Sequence, residues 1–382
     1  MTASVLLLSS DKPEIIERLR AADADVAVIA RGRYAELYHD DWPIELVDDL
    51  GDVGQVVAAA RRHARRRTLH CVVAATEKGI VSAGHVRGDL DLRGQGADEA
   101  LRFAHKVRMK HALRAAGLPV TDFALAANPE QLERAARRLG LPVVVKPALG
   151  SGAAGTARLD DLDELAGAFG ADDGASPVPR CVEAFVDVHR ELHCDGVVRD
   201  DELLLGAVSE YFAPLLLLER GRNGSRLVDQ EAPDATAVRA LARGSVAALG
   251  LRDGVVHFEC FDTVDGLVVG ELTCRPGGGG VAGALQRGCG FDVWQELLLA
   301  ELGAASDVDA ARPAEAGAVH GWTWAPGRAA ELADLLDDPC VAGVWPSDLG
   351  DEIAVLDLVA PDDAAMLAAQ RRLTRQPVAS KA

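Results

Sequence analysis

The stretch LVVGELTCRPGGGG, residues 267–280, places a carboxylate (Glu271) inside a strand-like apolar run and a guanidinium (Arg275) just beyond it, followed after Pro276 by four glycines. Strands bury apolar side chains, so charges at this place need partners. A second strand-like run, GVVHFECFDT at 254–263, precedes it across Val264, Asp265 and Gly266, and the two read as a β-hairpin. Side chains alternate along a strand, so His257 and Glu259 share one face, and Glu271, Thr273 and Arg275 share one face. A three-residue VDG loop with Gly266 left-handed predicts Glu259 directly opposite Glu271. A two-residue Asp-Gly turn predicts them on opposite faces. Facing carboxylates repel across a ladder, and the three-residue register therefore requires a cation between them. Two carboxylates on neighbouring strands suit Mg²⁺, which takes few protein ligands and fills its shell with water and phosphate oxygens. The plain alternative is a solvent-facing strand pair with unrelated glutamates. In the functional reading, the four glycines let backbone amides approach a substrate where side chains would collide.

Upstream, PVVVKPALGSGAAG at 142–155 sets Lys146 at a strand end before a loop carrying Gly150, Ser151, Gly152 and Gly155. Such a loop brings backbone amides close to phosphates. Residues 150–155 match GxGxxG literally, but a dinucleotide fingerprint needs its helix to open inside the motif, and here TARLDDLDEL follows. No GK[ST] follows the glycines, and neither HRD nor DFG occurs, so P-loop and protein-kinase readings are excluded. RCVEAFVDVHREL at 180–192 leaves a strand with Glu183, Ala184, Val186 and Glu191 near its end. A hinge of this kind offers a backbone donor and acceptor to an adenine and a carboxylate to a ribose.

The 382 residues suffice for two or three packed domains. A net charge of −19 argues against nucleic acid as a partner. The seven cysteines are scattered and form no CxxC, which predicts reduced thiols in a cytoplasmic protein rather than a disulfide framework or zinc site. The N-terminus has no basic region before its apolar run, against a signal peptide, and no apolar stretch reaches membrane-spanning length. Apolar runs at 4–8, 26–29 and 70–74, separated by helical stretches, predict a βα-layered first domain. The segment ALRFAHKVRMKHALRAAG at 100–117 predicts one basic amphipathic helix closed by Gly117, and Asn128 with Pro129 predicts the start of another. DDLDELAGAF predicts an acidic helix, and GRNGSR a mobile loop whose Arg222 and Arg226 could cover a phosphate. Glu77, after a strand, is a candidate substrate contact, with a plain loop residue as the equal alternative.

In order along the chain, HK at 105–106, VVVKP with its Gly/Ser loop, VEAFV, REL, HFE and GELTCRPGGG resemble the ATP-grasp ligases from about residue 70 to 300. The resemblance implies an α/β (α+β) ATP-grasp fold. It divides into a Rossmann-like N-terminal domain at 1–98, an ATP-grasp domain at 99–300 with a lid near 118–187, and a C-terminal mixed segment at 301–382. It implies that Lys106 and Lys146 contact ATP phosphates under a lid loop from Gly150 to Gly155, that Glu183, Ala184 and Val186 hold adenine, and that Glu191 holds the ribose. Glu259 and Glu271 would bind Mg²⁺ (or Mn²⁺), and Arg275 would stabilise an acyl phosphate, with Lys146 and Arg275 the catalytic cations. Thr273 stands where the family commonly has Asn, and its hydroxyl is the third candidate metal contact. The implied reaction activates a carboxylate with ATP and couples it to an amine, releasing ADP and phosphate. The implied partners are small amino-acid-like substrates, without nucleic acid or membrane, and a homodimer is allowed. Rival readings are a carboxylate–thiol ligase loading a carrier protein, a non-catalytic nucleotide-binding regulator, and a nicotinamide-dependent oxidoreductase using GSGAAG.

Overall fold

The computed structural model describes residues 3–8, 12–38, 42–150, 154–164, 178–217, 223–306, 308, 317–347, 350 and 352–374. Ser151, Gly152, Arg222 and the second half of the expected acidic helix (165–169) lie outside them, and its first half, 160–164, forms bends and turns rather than helix. The first sheet contains β1 (Ser4–Leu8), β2 (Asp25–Arg31), β3 (Ile44–Val47) and β4 (Cys71–Ala74), all parallel in the order β3-β2-β1-β4. Its central run SVLLL is buried on both faces, as layered parallel strands require. Helices α1 (Pro13–Ala21) and α2 (Val53–Ala64) make crossovers between its strands, and α3 (Glu77–Leu90) leads out of β4.

The expected single helix at 100–117 is two, α4 (Ala97–Ala104) and α5 (Lys106–Ala115). The break falls at His105, whose extended backbone (φ −100°, ψ 103°) bridges Leu149, while the Lys106 N–H donates to the Ala148 carbonyl at 2.9 Å. A tertiary backbone contact thus overrides local helix propensity and starts a new helix at Lys106. The segment expected as a lid follows: β5 (Phe123–Ala126), α6 (Pro129–Leu139), β6 (Val143–Pro147), β7 (Ala157–Leu159) and β8 (Arg180–Ala184), with sheet order β5-β8-β6-β7. As expected, the Asn128 side chain caps α6, accepting from Gln131 N–H at 2.9 Å.

An eight-stranded antiparallel sheet forms the floor beneath. Its strands are β9 (Arg190–Arg199), β10 (Glu202–Tyr211), β11 (Gly224–Leu227), β12 (Gly254–Thr263), β13 (Gly266–Thr273), β14 (Val319–Pro326), β15 (Val341–Pro346) and β16 (Ile353–Ala360), ordered β13-β12-β9-β10-β11-β14-β16-β15. One face buries Leu192, Cys194, Val256, Phe258 and Leu272 against α7 (Pro233–Leu249). Two further helices, α8 (Val281–Cys289) and α9 (Val293–Leu302), follow β13; α9 joins the cluster that contains Ile15, Val73 and Trp322, tying the first sheet to the floor. Helix α10 (Asp363–Thr374) closes the described chain against β14 and β16. Among the described residues, no helix is long and apolar enough to cross a membrane.

Candidate active site

Alternation puts polar side chains on the other floor face, and antiparallel register aligns them across strands. Glu259 lies opposite Glu271 on one side and His193 on the other; His257 lies between Thr273 and Asp195. Glu259 and Glu271 therefore face each other as expected, but by a different device. The turn has two residues, Val264 and Asp265, with Gly266 paired to Thr263, which alone would put the glutamates on opposite faces. A bulge at Gly270 restores the pairing. Glycine fits there because a Cβ would meet the Phe261 ring at 3.0 Å and the Glu259 carbonyl at 3.3 Å.

The charges on this face do not cancel. Glu271 Oε1 holds Lys106 Nζ at 2.8 Å, and Lys106 also donates to the Gly150 carbonyl at 2.6 Å. Glu259 Oε1 accepts from Tyr211 Oη at 2.8 Å and from His257 Nε2 at 3.3 Å. Burial would raise the Glu259 carboxyl, but the bond and charge of His257 and the Tyr211 hydroxyl hold it down at about 2. Asp195, wholly buried, accepts from His193 Nδ1 at 2.6 Å and His257 Nδ1 at 2.8 Å. Burial opposes the His257 charge, yet Asp195 and Glu259 together raise it to about 10, so the ring is an imidazolium that donates from both nitrogens. Glu191, 5 % exposed, accepts from the Leu215 N–H at 2.7 Å. Burial first, then the Glu259 charge, push it up to about 8. Glu77, at the start of α3, reaches across from the first domain to Arg275 Nη2 at 2.8 Å. Among the described residues, its Oε1 is buried without a hydrogen-bond partner, as is Thr273 Oγ1. A face with Glu77, Glu191, Glu259 and Glu271 against Lys106, Arg275 and His257, beside an orphaned hydroxyl, fits a hard divalent cation.

The lid has the opposite balance. Glu183 accepts from Lys146 Nζ at 2.7 Å, Lys110 Nζ at 3.1 Å and the Thr121 hydroxyl at 2.8 Å. Burial alone would raise its carboxyl, but Lys110 and Lys146 hold it well below the usual range. The Glu183 side chain is thus committed to lysines, and the Ala184 N–H to the Asp122 carbonyl at 2.8 Å. Only beyond β8, at 185–188, does the backbone leave the ladder, which puts Val186 rather than Glu183 at the hinge. Lys110 and Thr121 were not legible as partners of Glu183, although Lys106 and Lys110 sit one helical turn apart in α5.

The four-glycine run corrects the expectation that its backbone is bare for a substrate. A Cβ on Gly277 would lie 2.9 Å from His257 Nδ1 and 3.0 Å from Asp195 Oδ1. On Gly279 it would enter the Trp322 ring at 2.3 Å, and on Gly280 it would meet Trp322 Cβ at 2.5 Å. Three of the four are glycine because the protein itself presses on them, and Gly278 alone faces open space. Arg226 is also corrected: it sits in β11, paired with Glu210 at 3.2 Å and Asp363 at 2.8 Å, rather than in a mobile loop. His193 and Asp195 were missed, although the ELHCD run places Glu191, His193 and Asp195 on one face.

An ATP-grasp domain model matches residues 111–284. The chain is 30 % identical over 311 residues to an L-arginine-specific L-amino acid ligase of Bacillus subtilis, covering 77 % of this chain and 74 % of that protein. Its fold is similar to the crystal structure of an L-amino acid ligase from Bacillus licheniformis (TM-score 0.78, 19 % identity, 97 % of both chains). It is also similar to a carboxyaminoimidazole ribonucleotide synthase from Aspergillus clavatus complexed with ATP (TM-score 0.77, 18 % identity, 98 % of this chain and 99 % of that one).

Proposed function

Because this chain belongs to the ATP-grasp ligases, ATP-dependent enzymes that join a carboxylate to an amine, we propose that its substrates are two amino acids and its product a dipeptide. The observation that carries the substrate class is the buried Glu77–Arg275 pair, whose Glu77 Oε1 has no partner among the described residues. A guanidinium and a half-satisfied carboxylate side by side match the α-carboxylate and α-ammonium of one amino acid. The L-amino acid ligase of Bacillus subtilis supports the same class.

Lys106 and Lys146 hold the ATP phosphates beneath the loop at 150–155, Ala184 and Val186 meet the adenine through backbone groups, and Glu191 takes the ribose hydroxyls. Glu259, Glu271 and Thr273 hold Mg²⁺, or Mn²⁺ in its place, which when bound offsets phosphate charge. Arg275 fixes the acceptor carboxylate and neutralises charge as the γ-phosphoryl arrives, with the ADP oxygen as leaving group. The second amino acid's free amine then attacks the acyl carbon, the C–O bond to phosphate breaks, and the amine proton leaves with phosphate or solvent. The contribution of the chain is mainly positioning and electrostatics.

The test is ADP and phosphate release over a panel of amino-acid pairs, with mass detection of the product. Glu77→Gln is expected to raise KM for the acyl-donor amino acid about tenfold or more, the worth of one charged hydrogen bond, and to leave its desamino analogue unchanged. Efficient turnover of simple carboxylic acids by the unaltered enzyme, with no preference for amino acids, overturns the assignment.

A further inference from the structure

Asp195 touches none of the groups assigned to ATP, metal or substrate, yet it is fully buried and ionised at the centre of the floor. An uncompensated buried carboxylate is costly, and here two imidazoles compensate it: His193 and His257 both turn Nδ1 toward it, at 2.6 and 2.8 Å. The network continues outward on both arms. His193 Nε2 lies 2.8 Å from Ser225 Oγ, and His257 Nε2 lies 3.3 Å from Glu259 Oε1. Tyr211 Oη donates to that same Oε1 at 2.8 Å. Among the described residues, both hydrogen bonds to Glu259 thus fall on one oxygen, which leaves Oε2 as the oxygen for a metal.

The same Asp195–His257 pair is the surface on which the loop after Arg275 rests, since a Cβ on Gly277 would approach both at about 3 Å. We propose that Asp195 is a positioning residue: through His257 it orients the metal carboxylate Glu259, and through Gly277 it seats the segment that carries Arg275. One buried carboxylate therefore couples the metal side of the site to the acyl-phosphate side. The coupling needs both histidines, because an imidazole bonded on one edge has its ring plane, and so its opposite nitrogen, set by that bond. His193 balances the second Asp195 oxygen and anchors the network on Ser225 in β11, two strands across the sheet from β9.

This inference rests on Glu259 being a metal ligand, and the experiment separates the two claims. Mn²⁺ is titrated into the ADP-loaded full-length protein and bound ion is counted by electron paramagnetic resonance, for the unaltered chain and for Glu259→Gln, Asp195→Asn, His257→Gln and the Asp195→Asn/His257→Gln double variant. Glu259→Gln establishes the ligand; if it leaves the Mn²⁺ affinity unchanged, the metal assignment falls and the positioning role with it. Given a loss there, Asp195→Asn is expected to weaken Mn²⁺ by about 10- to 100-fold, the range seen when the partner orienting a ligand is removed. His257→Gln is expected to do the same, and the double variant no more than His257→Gln alone, since Asp195 acts through that ring. ADP affinity, read by calorimetry without metal, is expected to stay within about twofold. Mn²⁺ affinity unchanged in His257→Gln, or losses that multiply in the double variant, overturn the proposal. Should Asp195→Asn fail to fold, His257→Gln alone still decides, because its ring is the link on which the claim depends.

Discussion

Glu183 in the lid and Glu191 in the floor are equally buried, at 4 % and 5 % exposure, and their acidities move in opposite directions. Glu183 has two lysines and a hydroxyl on its carboxylate and is held ionised. Glu191 has one backbone N–H and the Glu259 carboxylate for a neighbour, and burial raises it to about 8. Equal burial therefore says nothing about protonation; the sign of the neighbouring charge does. In the first site one carboxylate is outnumbered by two lysines, whereas in the second Glu191 stands beside another carboxylate. A polyanion with its counter-cation completes the second and would compete with Glu183 for Lys146 in the first.

The contrast can be broken most forcefully at Lys110, 1 % exposed and bound to Glu183 and Thr121. Removing one partner of a buried pair leaves charge uncompensated, so Lys110→Met is expected to cost about 3 kcal/mol of stability, read by urea unfolding. Retained stability would show that Lys146 alone compensates Glu183.

Arg275→Ala comes next. On the proposed reading it holds the acceptor carboxylate and meets the charge that develops as the acyl phosphate forms, so kcat is expected to fall about 100-fold or more while ATP affinity changes little. Arg275→Lys is not expected to rescue it, because a point charge does not reproduce a two-pronged contact. Near-normal turnover with the right pair of amino acids would make Arg275 a structural partner of Glu77.

Lys146→Ala is expected to weaken ATP about tenfold in calorimetry, the worth of one charge-assisted contact, as well as to slow turnover. An effect on turnover alone would move Lys146 from ground-state binding to the transition state.

The smallest effect is expected at Glu191, in the protein without ligands. Its folded-state pKa lies above its unfolded value, so the folded chain binds more protons between about pH 4.5 and 8. Its contribution is present below that window and is lost as pH rises through it. Glu191→Gln is therefore expected to raise stability at pH 8 and to change it little at pH 5. Glu183 runs the other way, contributing above its unfolded pKa and losing that contribution in acid. A gain for Glu191→Gln that is equal at both pH values would sink the charge argument.

Much of this site is legible along the chain because its chemistry follows strand parity. Glu271 and Thr273, His257 and Glu259, and Glu191, His193 and Asp195 each alternate with apolar residues, so each set reads as one face before any folding is considered. The lysine at a strand end before a glycine loop is equally local. Other parts are not local. The helix break that puts Lys106 at the start of α5 depends on Ala148 and Leu149, over forty residues away in sequence. The Glu259–Glu271 register depends on a bulge whose extra residue compensates a turn one residue shorter than the loop composition suggests. Glycines 277, 279 and 280 read as free backbone, and their crowding by Asp195, His257 and Trp322 exists only once three strands are aligned.

Alternation, strand ends and glycine placement, all short-range properties of a covalent chain, determined by themselves which residues are candidates for the chemistry and which of them share a face. Only the tertiary structure decided which charges meet. Glu183 takes Lys110 and Lys146, Glu77 crosses from another domain to Arg275, and Asp195 reaches Glu259 through His257. The reason is that ionisation energy inside a protein depends on distance and burial together, and neither is defined until segments far apart in sequence are packed against one another.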